Sequence, residues 1–460
     1  MRQKKQKITV DNLYTLSLGT NLRYFAGESF AFWMVCLYLF FEYVRPQSIY
    51  PAIDFLPWNK LFVLGAIVGC FFDKSVRWVR SSVNVLLIVY LLWVLLSSLL
   101  AYFPETSYEN LSNYYLWVII YFIIINIVNT RERLFVFVSI FLLASFKISL
   151  SLALTWAARG FSFTKWGLMG PAGFFENSGE LAIQMLVFWP LAWAFAHAVK
   201  PSVGKLWYLI LMLMPITAIM VILGASSRGA QVALVCQLVV MNYRFIFRPK
   251  VLIAIAVSFF LIWTFLPDQQ KERFESIGQD RTSKQRVVYF LNGVEMIKEH
   301  PVLGVGFFNF APYFERNYPE DVLFKKAQLP HNIFIQVGTD AGIVGLIIFL
   351  SLIYIAYSKA KKFQSPCGKE RINLIGLCSN LSLLGFVIAG QFVTVAYYPF
   401  LWIHLALVVS LNNILSQDQR ERKKKQVRRV GTPAMTGHGD RDVGLISGMS
   451  SSSSSSYRDR

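Results

Sequence analysis

The sequence predicts an all-α polytopic membrane protein with about twelve transmembrane helices and one large outer loop. Three observations carry that prediction. Of the 460 residues, 55% are hydrophobic and 16% aromatic, and the mean hydropathy is positive; a soluble chain of this length is less apolar. Apolar runs recur, among them SSVNVLLIVYLLWVLLSSLLAYF over 81–103 and LWYLILMLMPITAIMVILGA over 206–225, each long enough for the roughly 20 residues that cross a bilayer as a helix. Lys and Arg crowd into alternate short loops, as they do in chains that weave through a membrane.

Taken in order, residues 1–27 open with the basic MRQKKQK and read as a cytoplasmic N-terminus. No small-residue cleavage site follows the first apolar run, so that run reads as an uncleaved membrane helix. Spans are expected near 28–44, 60–72, 82–102, 113–129, 134–156, 180–199, 206–224, 229–247 and 250–266, filling residues 28–267. Residues 268–330 form the large loop. Spans near 332–357, 372–392 and 397–415 fill residues 331–415. Residues 416–460 hold QRERKKKQVRR and a serine run; they are too polar to bury a core, and a disordered cytoplasmic tail is expected.

Orientation follows from the loops. Lys74, Arg77 and Arg80; Arg131 and Arg133; Lys200 and Lys205; Arg244, Arg248 and Lys250; and the run from Lys359 to Arg371 fall on one side. The short loops of the other side carry one or two basic residues each: Arg45 and Lys60, Arg159 and Lys165, Arg228. The basic side is cytoplasmic, which places both termini inside and the large loop outside. The net charge of +19 is therefore topological, and nucleic acid is not expected as a partner: no folded segment interleaves a basic face with aromatics. The five cysteines form no CxxC pair, so neither a disulfide framework nor a zinc site is indicated.

On the outer side stand the residues that carry chemistry. In the large loop, Val287, Phe290, Leu291, Val294 and Ile297 share one face of a helix that ends near Lys298–His300, ahead of Pro301. This amphipathic segment either lies on the membrane surface or caps the bundle. The glycines of GVGFFNF predict a tight, irregular turn. Arg228 sits in GASSRGA, where small neighbours permit close approach; it either grips phosphate oxygens with its planar fork or snorkels at a helix end. Arg281 and Arg286 are rival loop arginines. Arg159 adds positive charge on the same side, and Glu176 and Glu180 stand at the entrance of the span near 180–199. His331 opens the span near 332–357. An imidazole there serves as a base near neutral pH, favoured in its neutral form by the helix dipole, or else it is a headgroup-level polar residue with Asn332 as helix cap. Asp340, flanked by Gly338, Gly342 and Gly345, lies within that span and reads as a supporting residue. No nucleotide-binding loop, zinc signature or cofactor fingerprint is present, so no cofactor and no metal are expected.

The segment from Arg286 to Gly345 resembles the O-antigen ligase-like membrane protein family, which includes O-antigen ligases, O-antigen polymerases and protein O-oligosaccharyltransferases. The resemblance is carried by Arg286, Tyr289, Glu299-His300-Pro301, Gly304-Val305-Gly306, His331-Asn332 and Asp340-Ala341-Gly342, with Ser227-Arg228-Gly229 beside it. FENSGELA departs from the family by lacking a Pro-Asn pair. The resemblance implies a GT-C-like fold and an inverting, metal-independent transfer of glycan from undecaprenyl diphosphate. It places that transfer at the periplasmic face of the bacterial inner membrane. The acceptor is then a glycan, lipid A core or protein. It further implies that His331 takes the acceptor proton, Arg228 and Arg286 (or Arg281) hold the diphosphate, and Asn332 holds the local turn. The alternatives are a polysaccharide polymerase of the same superfamily and a lipid-linked glycan transporter or flippase; the latter calls for charges deep in several spans, whereas here most lie at the rims.

Overall fold

The computed structural model describes residues 8–164, 166–250, 281–362 and 371–430, with isolated positions between 251 and 280. The expected span at 250–266, the start of the large loop, Lys165 and residues 431–460 lie outside the described residues. Every regular element among the described residues is helical. After short helices at Val10–Leu13 and Leu18–Ala26 come α1 (Phe30–Val44), α2 (Trp58–Phe72), α3 (Ser82–Leu99), α4 (Pro104–Ile127) and α5 (Arg131–Ala158). Then follow α6 (Ser178–Val199), α7 (Lys205–Gly224), α8 (Arg228–Ile246), α9 (Arg281–Glu299), α10 (Phe310–Asn317), α11 (Ile333–Lys361), α12 (Arg371–Ala389) and α13 (Pro399–Val430).

The chain is a multi-pass membrane protein, but fewer helices meet the length of a span than the sequence suggested. Seven described helices are long and apolar enough to cross a membrane: α3, α4, α5, α6, α7, α11 and α13. The expected spans at 28–44 and 60–72 fold as α1 and α2, of 15 residues each; at 1.5 Å per residue each reaches about 22 Å, short of a hydrocarbon core of about 30 Å. Helix α13 continues past the expected end of the last span, through Val430; the rest of the expected tail lies outside the described residues.

Burial sorts the helices. The apolar window of α6 is 89% buried, whereas those of α3 and α11 are 33% buried. α6 is thus the central rod, packed against α7 and α12, while α3 and α11 present Val85, Leu92, Ile343 and Ile347 outward. Polar groups inside are used to repair backbone. Pro190 in α6 has no N–H to give the carbonyl of Leu186. Gln237 of α8 gives it one instead, at 2.9 Å, and its other bonds reach the Leu381 carbonyl at 2.7 Å and the Trp189 indole at 2.7 Å. One buried amide so ties α6, α8 and α12 together.

α11 is the element that positions the site. It breaks at Gly342, whose φ is 69°. The freed backbone is satisfied from two sides. Trp93 and Ser97 of α3 donate to the carbonyls of Ala341 and Asp340. The loop 301–309 supplies the rest: Ile343 N–H donates to the Pro301 carbonyl at 2.8 Å, and Val305 N–H to the Thr339 carbonyl at 2.7 Å. That loop needs left-handed turns at Gly304, Gly306 and Phe308, and at Gly304 a Cβ would strike the Thr339 carbonyl. Fully buried Asn309 pins it to the start of α4 through the backbone of Phe103 and the Ser107 hydroxyl.

Candidate functional site

The head of α11 is built to hold one imidazole in one direction. Asn332 is the N-cap, its Oδ1 accepting from the N–H of Phe334 at 2.8 Å and of Ile335 at 3.2 Å, which answers donors that a helix start leaves open. His331, just before it, has a φ of 52°, a left-handed conformation that costs a non-glycine residue about 1–3 kcal/mol. Its N–H donates to the Thr394 hydroxyl at 2.8 Å, and its Nε2 lies 3.4 Å from Gln328 Oε1. Burial first, and the neighbouring Arg286 guanidinium second, push the imidazole down to about 4. It is neutral at neutral pH, the form a base needs. The cause differs from the helix dipole inferred from sequence.

α9 supplies Arg286. Of the apolar positions read from sequence as its defining face, Val287, Phe290 and Leu291 are exposed, while Val294 and Ile297 pack against the cluster around Tyr289. The buried face is Gln285, Tyr289, Gly293 and Met296. Those residues hold the chain that leads to His331. Gln285 Oε1 accepts from Leu323 N–H at 2.9 Å, and the Tyr289 hydroxyl accepts from Gln328 N–H at 2.7 Å. Gly293 leaves no room for a Cβ beside Ile335, so α9 lies directly on the first turn of α11. Arg286 is exposed on this helix and bears electrostatically on His331. Arg281, a turn earlier, stacks over Phe324 at 4.9 Å. His300, after the last residue of α9, bonds the Tyr313 hydroxyl at 2.9 Å, a closing role for the loop helix.

The connection 390–398 between α12 and α13 gathers the remaining residues. Ile333 N–H donates to the Gly390 carbonyl at 2.8 Å, and Ala396 N–H to Gln336 Oε1 at 3.2 Å. Phe392 fills the space a Cβ on Gly229 would take, and Val393 does the same at Gly179. The first turns of α8 and α6 therefore both abut this strap. Arg228 is the first residue of α8, partly buried, preceded by Ser226 in a left-handed conformation. Glu180, in the first turn of α6, is buried and accepts from the Tyr398 hydroxyl at 2.9 Å; exposed Glu176 also acts on Tyr398.

The structure thus sets His331, Glu180 and the helix start at Arg228 against one strap, with Asn332 beside His331 and Arg286 bearing on it. Asp340 is 1% exposed and sits lower in α11, near the Phe308 backbone and Tyr397, and neither of its carboxyl oxygens has a hydrogen-bond partner among the described residues. Arg159 is the exposed C-cap of α5 and makes no ion pair among the described residues. Among the described residues no cluster of three His, Cys, Asp or Glu side chains is placed to hold a metal ion. Sequence reasoning missed Thr394, Gln336 and Tyr398. The only signal near them is the Tyr-Tyr-Pro turn at 397–399, which marks a boundary and no chemistry.

No curated protein matches the chain. Residues 209–350 match the family described as O-antigen ligase. The matched stretch runs from α7 into α11 and includes Arg228, α9, His331 and the break at Gly342; the strap and the start of α6 lie outside it. Over these residues, under half of the chain, the sequence is similar to the O-antigen ligase family.

Proposed function

We propose that the chain transfers glycan from undecaprenyl diphosphate to an acceptor hydroxyl at the end of the bundle where His331 stands. That end is periplasmic, in a bacterial inner membrane, with both termini cytoplasmic. The reading rests on one observation: a neutral, partly buried imidazole is fixed at the head of α11 with the Arg286 guanidinium bearing on it, and Arg228 opens a helix that abuts the same strap.

In this reading His331 takes the proton of the acceptor hydroxyl as its oxygen attacks the anomeric carbon. The bond from that carbon to the diphosphate oxygen breaks, and its electron pair leaves with the diphosphate. Arg228 and Arg286 offset the charge that grows on this leaving group. Attack from the face opposite the diphosphate inverts the anomeric centre, and no metal takes part. The donor is a lipid-linked glycan; the acceptor is lipid A core, another glycan or a protein. Lipid A core makes the reaction a ligation, and a second glycan unit makes it a polymerisation.

The test is transfer from a lipid diphosphate donor by purified wild type, His331→Ala and Arg228→Ala, matched for folded protein, with EDTA present. Wild type is expected to transfer with EDTA, His331→Ala to lose about 10²–10⁴-fold, and Arg228→Ala to lose most activity; the product names the acceptor. Normal transfer by both variants overturns the site. A wild type that moves the lipid-linked glycan across vesicles without transferring it turns the assignment to a transporter.

A further inference from the structure

Left-handed backbone at a non-glycine residue persists only where the surroundings impose it. His331 is such a residue, with a φ of 52°. Three ties bracket it. On its C-terminal side, Asn332 caps α11 and Ile333 N–H is bonded to the Gly390 carbonyl. On its N-terminal side, Gln328 N–H is bonded to the Tyr289 hydroxyl. The third tie is on His331 itself: its N–H donates to Thr394 Oγ1 at 2.8 Å. Thr394 is 5% exposed, and its own place is fixed, because Ala396 N–H reaches Gln336 Oε1 and the Tyr398 hydroxyl reaches Glu180.

We infer that Thr394 is a positioning residue for the transfer reaction: its hydroxyl holds the His331 backbone in the left-handed conformation and so aims the imidazole. The inference rests on the reading of His331 as the base. Thr394 acts through His331. Its threonine identity follows from the geometry, since a β-branched side chain in a buried strap is stiff and its hydroxyl oxygen is the acceptor the His331 N–H finds. Without it, that N–H loses its partner at a partly buried position, and the left-handed conformation loses the contact that opposes its relaxation. Arg286, from α9, is the charged group that bears on the imidazole; it is unaltered by a change at 394.

The experiment uses the full-length purified protein and a lipid diphosphate glycan donor, with transfer followed from about pH 4 to pH 8 for wild type, Thr394→Val, Thr394→Ser and His331→Ala. Thr394→Val keeps the shape and removes the acceptor. It is expected to lower kcat about tenfold with the donor KM little changed, and to move the acid limb of the pH profile upward as the imidazole leaves its buried position. Thr394→Ser keeps the hydroxyl and is expected to restore both kcat and the limb. A purely structural Thr394 lowers the yield of folded protein and leaves the limb in place. If His331→Ala is inactive while Thr394→Val has wild-type kcat and limb, the positioning role is overturned. If His331→Ala is active, it is the reading of His331 that fails. Should Thr394→Val fold poorly, Thr394→Ala carries the same comparison with the same readings.

Discussion

Two groups of charged residues sit at opposite ends of α4, and they are built on opposite plans. Near the end of α4, Arg133 is 5% exposed. It pairs with Glu28 at 2.8 Å and Asp73 at 3.4 Å, and its Nη1 donates to the Ile127 carbonyl at 3.0 Å. Ser29 and Ser75 complete the shell around Asp73, and hydrogen bonds from both serines, together with Arg133, hold that carboxyl below its usual range against the opposing effect of burial. This arginine is consumed by the protein: it fastens the segment ahead of α1, the loop after α2 and the start of α5. Toward the start of α4 the loop 301–309 leads to α11 and His331. There Arg228 is partly buried and Arg286 exposed, and the one imidazole is kept neutral. The first end pairs its charges with one another. The second keeps a neutral imidazole under the influence of a cation.

The comparison is broken most sharply at Arg133. Arg133→Met leaves Glu28 and Asp73 buried without their cation, and a loss of about 3–5 kcal/mol of stability is expected, read as a lowered thermal midpoint in detergent. Transfer per folded molecule is expected to survive; a specific loss of transfer would mean the two ends are not separate in function. Arg286→Gln is expected to act the other way, with stability nearly unchanged and transfer down about 10–100-fold, the worth of a charge-assisted contact. It also shifts a titration. His331 is held low, so stability is fully present above the ordinary histidine range and falls as pH drops from about 6.5 to about 4. Removing the Arg286 charge moves the lower bound of that window upward, measurable by unfolding across the pH range. The smallest effect is expected at Arg281, whose guanidinium rests on Phe324: Arg281→Ala should change transfer less than about threefold, in line with an exposed cation–π contact. A larger loss there would reverse the roles given to the two loop arginines.

Much of this was legible in the sequence, for reasons that can be named. Asn332 ahead of an apolar run is a helix-start signal, and it is the cap. The glycines of GVGFFNF announced an irregular turn, and Gly304 and Gly306 both adopt positive φ. The buried side of α9 was legible only in part. Hydrophobic periodicity picks out Val294 and Ile297, which pack inward, but also Val287, Phe290 and Leu291, which do not; the inward face carries Gln285 and Tyr289 because the backbone from 323 to 328 needs partners, and Gly293 because α11 comes close. The strap was hidden for a different reason. GQFVTVAYY holds no charge and no motif, and its importance lies in hydrogen bonds to residues far away in sequence. The break in α11 was hidden because Gly338, Gly342 and Gly345 look alike in a list; only Gly342 takes a φ that a helix does not allow.

That break makes α11 two rods joined by a pivot. The residues after Gly342 reach about 28 Å at 1.5 Å per residue, so they come close to crossing the hydrocarbon on their own. The upper rod is moored to α3, α9 and the strap. When the surrounding bilayer thickens or thins, a span answers by tilting; with the break at Gly342 the lower rod is expected to take up that tilt while the moorings hold the upper one, so transfer is expected to change little between thin and thick bilayers.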